Sequence, residues 1–383
     1  MMEFSFSPEQ QLIRENIIAF AKKELNRNVR ERDREQVFPR ELWQKCGEQK
    51  LPGLCVDEAF GGAGLDPVST AAALEALGYG SEDGGLNFSL CAHLLACVVP
   101  VWKFGTEAQK KKYLPDLCSG KKIAVNAMTE SESGSDVFSI RTTAKKKDGN
   151  YVISGTKTFC SNGPAGDLVL VYALTDESKG YYGGISAFLV DRNTKGFSVG
   201  QQYEKMGLRT SGISELVFDN VIVPAENLVG GEGGGATVFN HSMEWERTCI
   251  AACHVGTMRR LLEKCIQYAQ ERKSGNEPIG KKQAVAHRIA NMKVQTEAAA
   301  LLVYKAASGL ERSKENMIHA SAAKLFTSEA FVSCASDAMQ VFGGNGYMTE
   351  FGIERALRDA MGSTLYSGTS DIQRNIISRL LGL

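Results

Sequence analysis

The feature that most constrains this chain is that its hydrophobic period changes twice. Up to about residue 120, apolar residues recur at helical spacing. Segment 8–25 sets Leu12, Ile13, Ile17, Ile18 and Phe20 at that spacing, and Ser7-Pro8 suits a helix start. Segments 67–79 and 107–117 predict two more helices, the latter closed by Pro115. Beyond them the runs become short and β-rich: KKIAVNAMTE, NYVISGTKTF, DLVLVYALT, GISAFLV, FSVGQQYE and ISELVFDNVIVP, punctuated by Gly, Asn and Asp. No long helical pattern separates these runs, which excludes a doubly wound nucleotide fold. Helices then return and lengthen, over 236–272, 281–310, 315–342, 351–359 and 370–381. Four long helices in succession predict an antiparallel bundle. The expected architecture is α+β in three parts: an N-terminal helical domain (1–120), a middle β domain (121–230) and a C-terminal four-helix bundle (231–383).

The 383 residues are 43% hydrophobic and 23% charged, enough for a core without staples. Lys+Arg and Asp+Glu both number 44, so the net charge is zero. That balance argues against nucleic acid or an anionic membrane as a partner. No run of about 18 apolar residues is read, so no membrane span is expected. The opening MMEFSFSPEQQ lacks a leader pattern. Ten cysteines without a CxxC predict reduced thiols and a cytoplasmic location. Cys249 and Cys253, beside His254, lack a second ligand pair. They read as core residues, and no metal is expected.

Two glycine clusters invite a nucleotide reading. Gly230 to Gly235 fits neither GxGxxG nor GxxxxGK[ST] and reads as a connection into the bundle. Gln340-Val341-Phe342-Gly343-Gly344-Asn345-Gly346 closes a helix and opens a tight turn. Its accessible N–H groups suit a pyrophosphate or adenosine moiety, and equally a plain helix cap.

Five motifs in order resemble the acyl-CoA dehydrogenase family along essentially the whole chain. They are Ala127–Asp136, Lys157–Gly163, the stretch from Glu271-Arg272-Lys273 through Pro278-Ile279-Gly280 to Gln283-Ala284-Val285, Phe342–Gly346, and Tyr366–Arg374. The resemblance implies FAD, a site between the β domain and the bundle, and a homotetramer or homodimer. It places Met128, Thr129, Phe159 and Ser161 along the flavin ring, and Gly134 and Ser135 near the pyrophosphate. Arg272, Gln283, Gln340, Gly343 and Gly344 would hold the adenosine diphosphate half across a dimer contact, with Thr369 and Asp371 closing over the cofactor. Where relatives commonly carry Phe-Gly near the adenosine, this chain has Gly275-Asn276.

Removing a thioester α-proton needs a placed carboxylate. Many relatives carry it between Tyr and Gly of Tyr-Glu-Gly-Thr, but here that position is Ser367. Others, including those for isovaleryl and long-chain substrates, carry it on the first bundle helix. Ser242 to Thr248 resembles that region and makes Glu246 the candidate base. Arg247 would organise Glu246, and the Ser367 backbone N–H would hold the thioester carbonyl. Glu244, two residues away on the helix, faces elsewhere.

The Trp245-Glu246-Arg247 context, Ser367 and His93–Cys97 followed by Val98-Val99-Pro100 most resemble dehydrogenases or oxidases of prolyl groups on carrier proteins. The implied substrate is an aminoacyl group on an acyl or peptidyl carrier protein. A CoA thioester is the alternative, and a flavin monooxygenase or non-catalytic flavin binder is the alternative of another class. The electron acceptor would be O2 or an electron-transfer flavoprotein. Lys110–Lys112 and Lys145–Lys147 are candidate docking charges for an acidic carrier, or simply solvated lysines.

Overall fold

The computed structural model describes residues 5–137, 139–312 and 315–383. Residues 1–4, at the start of the segment read for a leader, lie outside them. The N-terminal part is helical: α1 (Pro8–Phe20), α2 (Val29–Glu35), α3 (Arg40–Glu48), α4 (Pro67–Gly80), α5 (Gly84–His93), α6 (Val99–Phe104) and α7 (Glu107–Cys118). The Ser7 hydroxyl and Gln10 amide form a capping box on α1. Pro115 does not close its helix as expected; α7 runs three residues further, to Cys118. A proline in the last turn removes a single hydrogen bond, and Leu114 and Leu117 bury that turn regardless.

A second departure is larger. Gly84–Phe104 is one continuous 21-residue helix, long and apolar enough by composition to cross a membrane. In this fold 83% of its apolar window is buried against protein. Its middle, Leu94–Val98, widens to a π-turn just before Pro100. Proline has no N–H to offer the preceding turn, and the Ala96 carbonyl accepts from Asn126 Nδ2 instead, at 3.0 Å. The buried His93 Nε2 meets the Leu117 carbonyl at 3.1 Å, and its Nδ1 accepts from the Ala124 N–H at 2.9 Å. This helix therefore docks directly onto the first strand of the β domain.

That domain is an eight-stranded sheet: β1 (Ala124–Ala127), β2 (Thr143–Lys147), β3 (Asn150–Ser161), β4 (Leu168–Leu174), β5 (Ile185–Asp191), β6 (Phe197–Gln202), β7 (Ile213–Pro224) and β8 (Leu228–Val229). The order is β6-β7-β3-β2-β4-β5-β8, with β1 parallel to β4. One helical turn, α8 (Tyr181–Gly184), precedes β5. The β3–β7 register slips between Lys157 and Cys160. That bulge sits in the motif expected beneath the flavin.

The C-terminal part holds α9 (Gly235–Glu271), a hairpin of β9 (Lys273–Ser274) and β10 (Glu277–Pro278), α10 (Gln283–Gly309), α11 (Asn316–Phe342), the turn α12 (Gly344–Tyr347), α13 (Ile353–Ser363) and α14 (Ser370–Leu380). Among the described residues the bundle is built from α9, α10 and α11, with the shorter α13 and α14 packed on α11. The N-terminal α4 packs along α9. Gly275 takes the positive φ, 67°, that a two-residue hairpin requires. The Gly230–Gly235 connection is a hydrogen-bonded turn, with Gly234 N–H on the Gly231 carbonyl.

Candidate active site

One wall of the site is built on β1 and β3. Lys157, with 0% of its side chain exposed, donates to Glu130 Oε1 at 2.8 Å and to the Met128 carbonyl at 2.9 Å. Glu130 also accepts the N–H groups of Arg141 (2.6 Å) and Thr142 (2.9 Å). Burial pushes the Glu130 carboxyl upward, but the Lys157 charge and these hydrogen bonds outweigh it and hold the group ionised. The Thr158 N–H donates to the Thr129 carbonyl at 2.9 Å, so both backbones of the motif are tied together.

Beyond that tie the chain bulges. Phe159 takes φ 51°, a left-handed conformation that a bulky side chain rarely adopts. The result is an aromatic ring 60% exposed, lying 5.2 Å from the Tyr203 ring. Strain that presents a bare aromatic face is a mark of a ligand platform. A Cβ built on Gly134, Gly343 or Gly344 meets nothing within 4 Å, so both glycine motifs leave open backbone, as a dinucleotide needs. Ser135 is exposed and Ser161 half-buried at the end of β3. These residues fit FAD.

The opposite wall is built on α9 and the turn before α14. Glu246 is buried, and its Oε1 accepts from the Ser367 hydroxyl at 2.5 Å. Burial pushes its carboxyl above the ordinary range; the Ser367 hydrogen bond, Arg247 and Lys324 pull it back only in part. The Ser367 hydroxyl, from which sequence reasoning expected nothing, is therefore a partner of the carboxylate. Ser367 and Gly368 both have positive φ, 56° and 89°. Three side chains pin their carbonyls. Arg247 Nε donates to the Ser367 carbonyl at 3.1 Å, Lys324 Nζ to the Gly368 carbonyl at 2.6 Å, and Gln373 Nε2 to both at 3.0 Å. Burial lowers the Arg247 guanidinium to about 10, still charged at neutral pH. Glu244 accepts from Asn316 Nδ2 at 2.8 Å, on another side of α9 from the turn.

Thr369 caps α14, its hydroxyl accepting from the Ile372 N–H at 3.2 Å, while Asp371 is exposed and meets Arg374 at 3.3 Å. Tyr366 packs on Phe88 (centroids 4.6 Å) and its hydroxyl meets His254 Nε2 at 2.7 Å. Burial lowers His254 to about 3, so it is neutral. Cys249 and Cys253 lie in the core, and all ten thiols are free and buried.

The remaining predicted residues gather elsewhere. Arg272 caps the far end of α9, and Gln283 opens α10. Gln340 lies in the last turn of α11, Gly343 caps it and Gly344 opens α12, and this turn is joined to α9 by the Tyr268–Phe342 stack at 4.1 Å and by Asn345 Nδ2 on the Tyr268 hydroxyl at 3.0 Å. Both Glu246 and the end of α9 belong to one continuous helix. The 26 residues from Glu246 to Arg272 span about 39 Å. The buried carboxylate and the Arg272 group therefore lie far apart along one helix. Sequence reasoning missed Lys324, Gln373, His254 and the Lys157–Glu130 pair. A lysine inside the apolar Ala322-Ala323-Lys324-Leu325-Phe326 run is a signal that could have found the first.

Comparison with known proteins agrees with this layout. Family models for the acyl-CoA dehydrogenase N-terminal, middle and C-terminal domains match residues 7–121, 126–221 and 233–382. An L-prolyl-[peptidyl-carrier protein] dehydrogenase of Serratia sp. is 39% identical over 100% of this chain and 99% of its own. The crystal structure of the prolyl acyl carrier protein oxidase AnaB superposes with TM-score 0.96 at 43% identity, covering 99% of this chain and 100% of that one. The structure of PigA with FAD and proline gives TM-score 0.97 at 39% identity, covering 100% of both chains. With all three domains in order around the carboxylate and the aromatic platform, the chain belongs to the acyl-CoA dehydrogenase family.

Proposed function

We propose that the chain is an FAD-dependent α,β-dehydrogenase or oxidase of an aminoacyl thioester, prolyl-like, carried on a peptidyl carrier protein. The observation that carries the chemistry is the buried Glu246, held by the Ser367 hydroxyl at 2.5 Å where many relatives have their glutamate. The carrier-bound substrate is supported by the prolyl-carrier-protein relatives. Glu246 takes the α-proton on a carboxylate oxygen while Ser367 donates to Oε1. Burial of Glu246 makes it a stronger base than an exposed carboxylate. The Ser367 backbone N–H, aimed by the pinned left-handed turn, receives the thioester carbonyl and stabilises its enolate character. Bound FAD would accept the hydride from the β-carbon.

Phe159 would lie against the flavin ring, with Met128, Thr129 and Ser161 beside it and Gly134 and Ser135 near the pyrophosphate. Thr369 and Asp371 would close over the cofactor near the last helix. The separation of Glu246 from Arg272 along α9 supports a partner copy supplying Arg272, Gln283, Gln340, Gly343 and Gly344 to the adenosine diphosphate half, and hence a homodimer or a tetramer of dimers.

The test is Glu246→Gln in the FAD-loaded enzyme. A placed general base is worth about 100- to 10,000-fold. Anaerobic flavin reduction by a prolyl-carrier thioester is expected to slow at least about 100-fold, with FAD content unchanged. A wild-type rate would remove Glu246 from the reaction. Equal or higher kcat/KM for isovaleryl-CoA in the wild type would favour a catabolic acyl-CoA substrate.

A further inference from the structure

Lys324 is fully buried on α11, yet among the described residues no carboxylate meets its ammonium at salt-bridge distance. Its Nζ hydrogen bond goes to a neutral group, the Gly368 carbonyl, at 2.6 Å. The acid nearest on its own helix, Glu329, is taken by Arg374 at 2.5 Å. A buried cation without a direct counter-charge is costly. What it faces instead is the turn that delivers the Ser367 hydroxyl to Glu246.

We propose that Lys324 is a positioning residue for the proton-abstracting carboxylate: it anchors the Gly368 carbonyl, fixes the left-handed Ser367–Gly368 turn, and sets a positive charge behind Glu246. The proposal rests on Glu246 being the base. Ser367, a non-glycine residue at φ 56°, is strained, and that conformation holds only where the surroundings determine it, whereas Gly368 takes its positive φ freely. Arg247 and Gln373 pin the Ser367 carbonyl and Lys324 and Gln373 the Gly368 carbonyl, so the ammonium is the sole cation on the second.

The charged and titratable groups around Glu246 come from every packed element. They are Arg247 on α9, Lys324 on α11, Tyr366 before α14, and the Cys91 and Cys97 thiols of the α5–α6 helix. The hydrogen bond with Cys253 and then burial push the Cys91 thiol upward, and burial first of all does the same for Cys97 and Tyr366, which keeps all three neutral. Arg247 and Lys324 are therefore the two cations that favour the ionised base. Burial lowers the Lys324 ammonium to about 8, so its charge is present at neutral pH.

The experiment compares Lys324→Met, Lys324→Gln and Lys324→Arg holoenzymes with wild type. Two quantities are read against pH: the rate of anaerobic flavin reduction, and the Glu246 carboxylic acid band in difference infrared spectra, assigned by its loss in Glu246→Gln. Losing a cation disfavours the carboxylate, so its protonated form persists to higher pH. In the Met and Gln variants the acid limb and the infrared titration should both move up by about one pH unit. Lys324→Arg should keep the wild-type titration at a reduced rate, because the charge stays and the reach changes. Should Lys324→Met fail to fold, Lys324→Gln keeps a hydrogen-bond donor and still removes the charge. A wild-type infrared titration in either folded neutral variant overturns the proposal. A wild-type rate in Glu246→Gln overturns the base assignment, while the infrared titration still judges Lys324 separately.

Discussion

Lys157 and Lys324 are both fully buried, on opposite walls of the site, and they are treated in opposite ways. Lys157 sits 2.8 Å from Glu130, a carboxylate that also collects two backbone N–H groups. Its charge is cancelled locally, and what remains is a clamp between β1 and β3. Among the described residues Lys324 hydrogen-bonds to a carbonyl and pairs with no carboxylate, so its charge is left to act on Glu246. The difference separates two uses of a buried cation. A paired one fixes a backbone. An unpaired one polarises its neighbourhood, and the fold carries the desolvation cost.

The harshest way to break the comparison is Lys157→Met. It leaves Glu130 buried without its counter-charge, a loss of about 3–5 kcal/mol for a buried pair. Thermal melting should fall by many degrees, and FAD should be lost on dilution because the Met128–Thr129 backbone loses its tether. Chemical denaturation of Lys157→Met beside Lys157→Met/Glu130→Gln checks the cause. The double variant removes the orphaned charge and should recover part of the loss. If the double variant is no more stable than the single one, the pair is not what holds the strands.

Ser367→Ala sharpens the other side. The hydroxyl donates to a charged carboxylate, a bond worth about 1.5–3 kcal/mol. Its loss disfavours the ionised form of Glu246, so the group's pKa rises further. Flavin reduction at neutral pH should drop about tenfold and recover as pH is raised, since each 1.36 kcal/mol is one pH unit. A pH-independent loss would mean that the hydroxyl acts on substrate rather than on the base. Glu244→Gln should change the rate by less than about twofold, because it keeps the oxygen that Asn316 contacts and lies outside the turn.

How much of this was legible in the sequence follows from what each residue buries. β3 and β7 were read nearly to the residue because their apolar runs are bounded by turn residues. The α5–α6 helix was not read, because it is apolar all round and offers no amphipathic period. β2 was missed because it contributes Ala144 to the core and shows three lysines to solvent. Glu246 was found through the serine at position 367. Lys324 and Gln373 were not, because they act on backbone carbonyls, and no motif records which carbonyl a side chain will meet. The split between the two walls was equally hidden: a lysine letter does not say whether its partner is an acid 27 residues back or a carbonyl 44 residues ahead.

A third kind of lysine completes the comparison and gives the smallest expected effect. Lys111 and Lys112 are exposed on α7, and Lys110 is half-buried against Glu107 at 3.0 Å. Lys112 lies over the Tyr113 ring at 4.8 Å. None is asked to survive desolvation, so replacing all three by Gln should change stability by less than about 0.5 kcal/mol per site. Any role must then show up in association with another molecule. If this face receives an acidic carrier protein, the triple variant should bind a prolyl-carrier protein roughly threefold more weakly at low ionic strength, mainly through slower association. Its affinity should also vary less with salt than that of the wild type, because fewer charge pairs remain to be screened. Lys145, Lys146 and Lys147 on β2 serve as the control, with Lys146 already 3.7 Å from Glu232. If the α7 and β2 triple variants lose affinity equally, the effect is net charge rather than a docking face. If neither changes, both clusters are solvated surface, and the carrier is held by contacts nearer the Glu246 turn.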